Sequence, residues 1–256
     1  MTDILVTGSA DGIGQQIAQQ LTAAGHHVVL HARTEERAVA AKAAVPAAAG
    51  VVVGDLASLE QTRALAATLG RFDAVVHNAG IARLESSERA LTEDGLDSTF
   101  QVNVLAPYLL TALMPRPARL VFMSSALGAE GVTDLSDVSY ERRQWNGYEA
   151  YCSSKLYCML LGFAFARRWP GVRSNAVDPG WVRTRMGGAG APTDPADAAR
   201  TPARLAVTDD PVSGEYFTDR EWRPGDAYRD PVLLDELLAL CAQLSGTPLG
   251  EDSGDR

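Results

Sequence analysis

The chain has 256 residues, 46% of them hydrophobic and 21% charged, an ordinary balance for a soluble globular protein and enough chain for a substantial core. Its formal charge of −9 argues against a nucleic-acid partner, whose phosphate backbone wants clustered Lys and Arg. The cysteines, Cys152, Cys158 and Cys241, are odd in number and fit no zinc spacing, so neither a disulfide scaffold nor a metal site is read from them. Only Met1, Thr2 and Asp3 precede the first apolar run, which leaves no room for a signal peptide. No apolar stretch reaches the roughly 20 residues of a membrane-spanning helix. Leu156 to Ala166 comes nearest, and Arg167 and Arg168 stop it. A cytoplasmic protein with no membrane partner is expected.

In chain order, strand and helix signals alternate. Ile4-Leu5-Val6 is a short apolar run ending in Thr7-Gly8. Ile13, Ile17 and Leu21 recur every four residues and mark a helix face, with Gly25 as its stop. Val28 to Leu30 reads as a second strand, Ala38 to Ala44 as a helix ending before Pro46, and Val51 to Val53 as a third strand. Ala74 to Val76, Leu120 to Met123, Val172 to Val177 and Tyr216-Phe217 complete seven strands. Asp194-Pro195 and Asp230-Pro231 each read as an N-cap followed by a first-turn Pro. The second of these opens a final helix with an apolar stripe of Leu234, Leu237, Leu238 and Cys241. Apolar strands separated by helices predict a Rossmann-type α/β fold, a doubly wound parallel sheet with helices on both faces. One domain over 1–249 is expected, with a substrate loop and short helix at 186–210 and a frayed tail at 250–256.

Two local patterns carry chemistry. Thr7-Gly8-Ser9-Ala10-Asp11-Gly12-Ile13-Gly14 lies between a strand and a helix. There, glycines allow a tight turn and close approach, and the helix N-terminus offers free N–H groups to a pyrophosphate. The second pattern is Tyr151 and Lys155, four apart and so on one helix face. An ammonium beside a phenol favours the phenolate and makes a general acid/base. The nearby Tyr140, Tyr148 and Tyr157 have Gln144, Cys152 and Leu161 at that spacing, so only Tyr151 has a cation.

Thr-Gly-x-x-x-Gly-Ile-Gly at 7–14, Asn78-Ala79-Gly80 after the fourth strand, Ser125 after the fifth, and Tyr-x-x-x-Lys at 151–155 together resemble the short-chain dehydrogenase/reductase family. The order and approximate spacing match from residue 4 to about 185. The run from Tyr148 to Leu161, with the long gap between Ser125 and Tyr151, is most similar to the retinol-dehydrogenase-like and protochlorophyllide-reductase-like branch.

The resemblance implies a role for each matched residue. Tyr151 would give a proton to a carbonyl oxygen, or take one from an alcohol. Lys155 would favour the phenolate and bond the nicotinamide ribose. Ser125 would fix the reacting oxygen; Ser124 is its rival, since strand alternation lets only one face the site, and the family pattern selects Ser125. Asn103 would hold a water of the proton relay, or stitch backbone as buried amides commonly do. Gly8, Ser9, Asp11, Gly12, Ile13 and Gly14 would cradle the cofactor phosphates. Asp55 and Leu56, with Asn78, Ala79 and Gly80, would shape the adenine pocket. Pro179, Gly180, Val182 and Thr184 would hold the nicotinamide carboxamide. Ala32 stands where NAD-preferring members carry an acid, and Arg33 follows it with a guanidinium suited to a 2′-phosphate. NADP(H) is therefore favoured, with NAD(H) as the alternative.

Two departures stand out. His77 replaces the first asparagine of the usual Asn-Asn-Ala-Gly, and is read as a satisfied histidine near the sheet end. The extra residues at 134–146 would wall the substrate pocket or block a subunit contact, which leaves monomer, homodimer and homotetramer open. Trp145, Trp181 and Met186 would suit a lipophilic carbonyl or alcohol, and Gly187 to Pro192 would form a mobile loop over the site. The expected activity is hydride transfer between NADP(H) and such a substrate. The alternative is a non-catalytic NADP-binding sensor or interaction protein on the same fold.

Overall fold

A computed structural model describes residues 1–250. Seven strands form one parallel sheet: β1 (Asp3–Val6), β2 (His27–Ala32), β3 (Gly50–Val53), β4 (Ala74–His77), β5 (Arg119–Met123), β6 (Arg173–Val177) and β7 (Tyr216–Phe217). Their spatial order is β3-β2-β1-β4-β5-β6-β7. The order reverses between β1 and β4, and a crevice opens at the carboxyl ends of these two strands, the place where ligands bind in open α/β sheets. All seven predicted runs are strands, and the doubly wound α/β fold is as expected. The expected tail lies, apart from Gly250, outside the described residues.

Alternation along each strand fills two separate cores. Ile4 and Val6 of β1, with Val121 and Met123 of β5, point to one face. There they meet Ile17 and Leu21 of α1 (Gly12–Ala23), Ala41 of α2 (Glu35–Ala44), and Ala203 and Leu205 of α8 (Arg200–Val207). Leu5, Leu120 and Phe122 point the other way, against Leu65 of α3 (Leu59–Thr68), Leu109 of α5 (Ala106–Leu113), Leu156 and Leu160 of α6 (Gly147–Arg168), and Leu237 of α9 (Pro231–Ser245). Strands covered on both faces read as continuous apolar runs, which is why they stand out in the sequence.

Local chemistry sets the helix ends. Thr34 accepts the N–H of Arg37 at the start of α2, and Asn146 accepts that of Glu149 at the start of α6. Asp194 caps α7 (Pro195–Ala198) and Asp230 caps α9, each followed by proline as the sequence suggested. Between α4 (Ser98–Phe100) and α5 the helix widens to a π-turn over Gln101–Leu105. Such turns often lie at functional sites, and this one carries Asn103. No helix among the described residues is long and apolar enough to cross a membrane.

The residues at 134–146 do not wall the crevice. Asp137 gathers the backbone N–H groups of Glu141, Arg142 and Arg143, and folds the segment into a knot. Trp145 is buried against Tyr140 and Ala150, and its indole N–H donates to the buried carboxylate of Asp97 at 2.8 Å. Its assignment as a substrate-contacting residue is therefore corrected: an indole with a polar handle finds a buried acceptor in the protein's own scaffold.

Candidate active site

A cleft of about 970 Å³ runs along the carboxyl ends of the strands. Gly8, Asp11, Gly12, Ile13, Gly14, Arg33, Asp55, Leu56, Asn78, Ala79, Gly80, Tyr151, Lys155, Pro179, Thr184 and Met186 all line it. Residues spread over most of the chain thus reach one wall, most because they follow the carboxyl end of a strand, and Tyr151 and Lys155 because α6 packs beside β5.

The glycine turn is locked from beneath. Asn78 Nδ2 donates to the carbonyls of Thr7 and Gly8 at 2.9 and 3.1 Å, while Thr7 Oγ1 accepts the N–H groups of Asn78 and Ala79. A Cβ on Gly14 would overlap the Asn78 amide and the Gly8 carbonyl, so only glycine fits. His31, on β2, ties the turn from the other side. Its Nδ1 accepts the N–H of Gly8 at 3.0 Å, which leaves Nε2–H to donate to the Gly54 carbonyl, also at 3.0 Å. Burial holds this imidazole below its ordinary pKa, in keeping with a neutral ring. Ser9 does not join the phosphate cradle. Its hydroxyl and N–H both bond the backbone of His31, and it is fully buried. That expectation is corrected, because the tight turn points residue 9 into the sheet.

At the far end of the cradle, the exposed Arg33 makes no hydrogen bond or ion pair among the described residues. Arg37, which the sequence reading missed, lines the cleft beside it. Its four-residue spacing from Arg33 was the available signal. Arg37 is bound to Asp11 at 2.8 Å, and Asp11 also pairs with Arg185 at 3.2 Å.

Tyr151 and Lys155 leave α6 on one face, with Lys155 Nζ 5.7 Å from the centre of the Tyr151 ring. Both are buried except where they meet the cleft. Nζ donates to the carbonyl of Met123 at the end of β5, at 2.9 Å. Gly80 packs between Lys155 and Asn103; a Cβ there would stand 3.4 Å from Nζ and 3.3 Å from Asn103 Oδ1. The Asn103 side chain stitches backbone: it accepts the N–H of Ile81 at 2.8 Å, and donates to the Ile81 carbonyl and to Ser154 Oγ. The thiol of Cys158 donates to the Asn103 carbonyl.

Ser124 reaches the cleft wall, but its hydroxyl donates to the Lys155 carbonyl at 2.7 Å. Ser125, the next residue, is half-buried and is not itself part of that wall; its hydroxyl only accepts, from the N–H of Leu127, so its proton is uncommitted. The rival tyrosines are occupied or buried elsewhere. Tyr148 donates to Glu130, Tyr157 to the Val132 carbonyl, and Tyr140 packs in the knot. The Tyr151 hydroxyl faces Met186, whose Sδ lies 3.7 Å away.

The segment after β6 is only partly as expected. Pro179 and Thr184 line the cleft, whereas Val182 is buried and the Gly180 N–H is taken by the Asp178 carboxylate. Neither Gly180 nor Val182 forms part of the wall, a correction to their assignment. Trp181 is exposed outside it, its indole N–H donating to the Gly187 carbonyl, so its substrate contact is corrected too. Residues 187–192 are a tied turn: Gly187 N–H bonds Thr184 Oγ1, and Arg183 bonds the Ala191 carbonyl.

Comparison with known proteins agrees with this geometry. A family model described as short chain dehydrogenase matches residues 2–194. The short-chain dehydrogenase chyC of Penicillium rubens is 40% identical over 97% of this chain and 99% of its own. Human retinol dehydrogenase 13 is 31% identical over 95% of this chain and 84% of its own. Among solved structures, an uncharacterised protein from Mycobacterium paratuberculosis superposes with a TM-score of 0.84 at 28% identity, covering 98% of this chain and 95% of that one. A short chain dehydrogenase from Shigella flexneri, complexed with NADP, gives 0.64 at 28% identity, over 84% and 95% of the two chains. The chain therefore belongs to the short-chain dehydrogenase family, as an oxidoreductase resembling its retinol-dehydrogenase-like branch.

Proposed function

We propose that the protein transfers hydride between NADP(H) and a lipophilic carbonyl/alcohol pair, with Tyr151 as the proton donor or acceptor. The observation that carries this reading is the meeting of Tyr151, Lys155, Gly80 and Asn103 at the inner end of a cleft whose outer end presents Arg33. The residues present fit the cofactor. Gly8, Gly12 and Gly14 line the cleft at the start of α1, and Arg33, unpaired among the described residues, directly follows Ala32, which stands where an NAD-preferring protein would place an acid. The solved relative complexed with NADP supports the same choice.

The chemistry that a bound nicotinamide would supply is the gain or loss of the hydride. The chain's own part is to hold the reacting oxygen and move one proton. Ser125, with its hydroxyl proton free, orients the oxygen, and Tyr151 exchanges the proton with it. Lys155, fixed by the Met123 carbonyl, places its ammonium 5.7 Å from the centre of the Tyr151 ring, within reach of the reacting groups. Asn103 positions Ile81 and Ser154, and through them the floor of the site. Ile81, Ala82, Leu84, Leu91, Val102 and Met186 give the substrate side an apolar lining, which is the basis for a lipophilic substrate.

The test is loss of NADPH absorbance on a panel of aldehydes, ketones and quinones. Tyr151→Phe should lose at least about 100-fold in turnover, the usual scale of acid–base catalysis, while still binding NADPH. Tight NADPH binding with no turnover on any of these would instead favour the sensor.

A further inference from the structure

The Tyr151 hydroxyl faces a thioether 3.7 Å away in the cleft where a substrate oxygen would have to lie. Met186 belongs to the segment after β6, and 45% of its surface is exposed. Of the other sulfur groups, Met1 is more exposed, at 88%, and the rest are poor targets for an oxidant. Met114, Met123 and Met159 are buried, and Met1 stands before β1, at the end of the sheet away from the cleft. All three cysteines are buried, and burial raises their thiols above the ordinary value, so they are not thiolates at neutral pH.

We propose that Met186 is an oxidation site whose sulfoxide occupies the place of the substrate carbonyl and shuts the site. A hydroperoxide is the oxidant. The sulfur lone pair attacks the hydroxyl oxygen of the peroxide, the O–O bond breaks as the S–O bond forms, and the proton of that hydroxyl passes to the other oxygen, which leaves as water or alcohol. Sulfur is oxidised by two electrons and the peroxide is reduced by two. A thioether is a weak acceptor. The sulfoxide is polar and its oxygen is a strong acceptor, like the carbonyl it displaces. The Tyr151 O–H then bonds the protein's own S=O, and Met186 and its turn are held over the cleft. The loss of activity rests on the proposed role of Tyr151; the modification and the contact do not.

The experiment is a hydrogen peroxide time course at neutral pH with three readouts. Peptide mass mapping should show one added oxygen on Met186 at a rate at least about 10-fold above Met114, Met123 and Met159, as exposure predicts. Tryptic cleavage after the exposed Arg185 should slow in the oxidised protein, because the sulfoxide bond holds the turn, and should not slow in Tyr151→Phe. Turnover should fall in step with Met186 oxidation and return on treatment with methionine sulfoxide reductase. Met186→Leu should keep whatever activity it begins with through the same treatment. Met186 reacting no faster than the buried methionines overturns the site. Unchanged cleavage after Arg185, or full turnover with Met186 fully oxidised, overturns the occlusion. An untreated protein that turns over none of the carbonyls counts against the enzymatic reading alone, since mapping and cleavage still decide the inference.

Discussion

Replacing His77 by Gln should remove one acid-sensitive component of stability, and its size follows from the burial of the ring. His77 closes β4, stacked on Phe122 with ring centres 4.9 Å apart. Its Nε2 lies 2.8 Å from Thr111 Oγ1. That hydroxyl gives its proton to the Pro107 carbonyl, so the ring must donate to it, and Nδ1 is left as a buried acceptor with no partner among the described residues. Burial lowers the pKa from 6.5 to about 3. The folded value lies below the unfolded one, so on acidification the unfolded chain binds the proton first. The contribution of the neutral ring is complete above about pH 6.5 and is lost as the pH falls towards 3. Between pH 7.5 and 5 those two values give a loss of about 2 kcal/mol. Urea unfolding followed by circular dichroism, at both pH values on wild type and His77→Gln, isolates this term as a difference of differences. The buried, neutral His31 titrates in both proteins and cancels. Wild type should lose about 2 kcal/mol more than the variant on acidification. Equal losses, within about 0.5 kcal/mol, would refute the buried, unpaired ring as the cause.

Other substitutions probe the remaining assignments. Arg33→Ala should weaken NADPH binding by roughly 10- to 100-fold, the worth of a charge-assisted bond, and change NADH binding little; isothermal titration with both cofactors decides it. Arg37→Ala should have a smaller effect on the same ratio, because Asp11 already holds that guanidinium. Gly14→Ala should weaken both cofactors alike, since its Cβ meets the Asn78 amide and the Gly8 carbonyl; a change confined to NADPH would count against the steric account. Trp145→Phe should cost about 1–3 kcal/mol in unfolding experiments by leaving the Asp97 carboxylate short of a donor. Its KM for any substrate should stay unchanged, and a large KM effect would return Trp145 to the substrate wall.

The strands were legible in the sequence because a sheet covered on both faces needs unbroken apolar runs, as in Leu120 to Met123. The glycine turn was legible because close backbone approach at Gly14 tolerates no side chain. The spacing of Tyr151 and Lys155 was legible because one helix carries both. What the sequence left undecided is where side chains end up once distant segments meet. Trp145 and Trp181 read equally well as pocket walls. The buried Asp97 carboxylate claims the first, while the second lies exposed and tied to the Gly187 carbonyl. Ser9 sits within the phosphate motif, yet its hydroxyl is spent on His31, because the turn's curvature aims it at β2. Ser124 and Ser125 differ by one position; the bond from Ser124 to the Lys155 carbonyl commits the first hydroxyl and leaves the second its proton.

Local periodicity and spacing suffice for the α/β fold, the order of the motifs and the one tyrosine with a lysine four residues on. Which polar groups remain free follows from the packing of distant segments against one another. Among the described residues Arg33 is unpaired while Arg37 is held by Asp11, Asn103 is occupied as a stitch, and Met186 lies against the Tyr151 hydroxyl. Each of those outcomes depends on a partner far away in the chain, and no local pattern encodes such a partner.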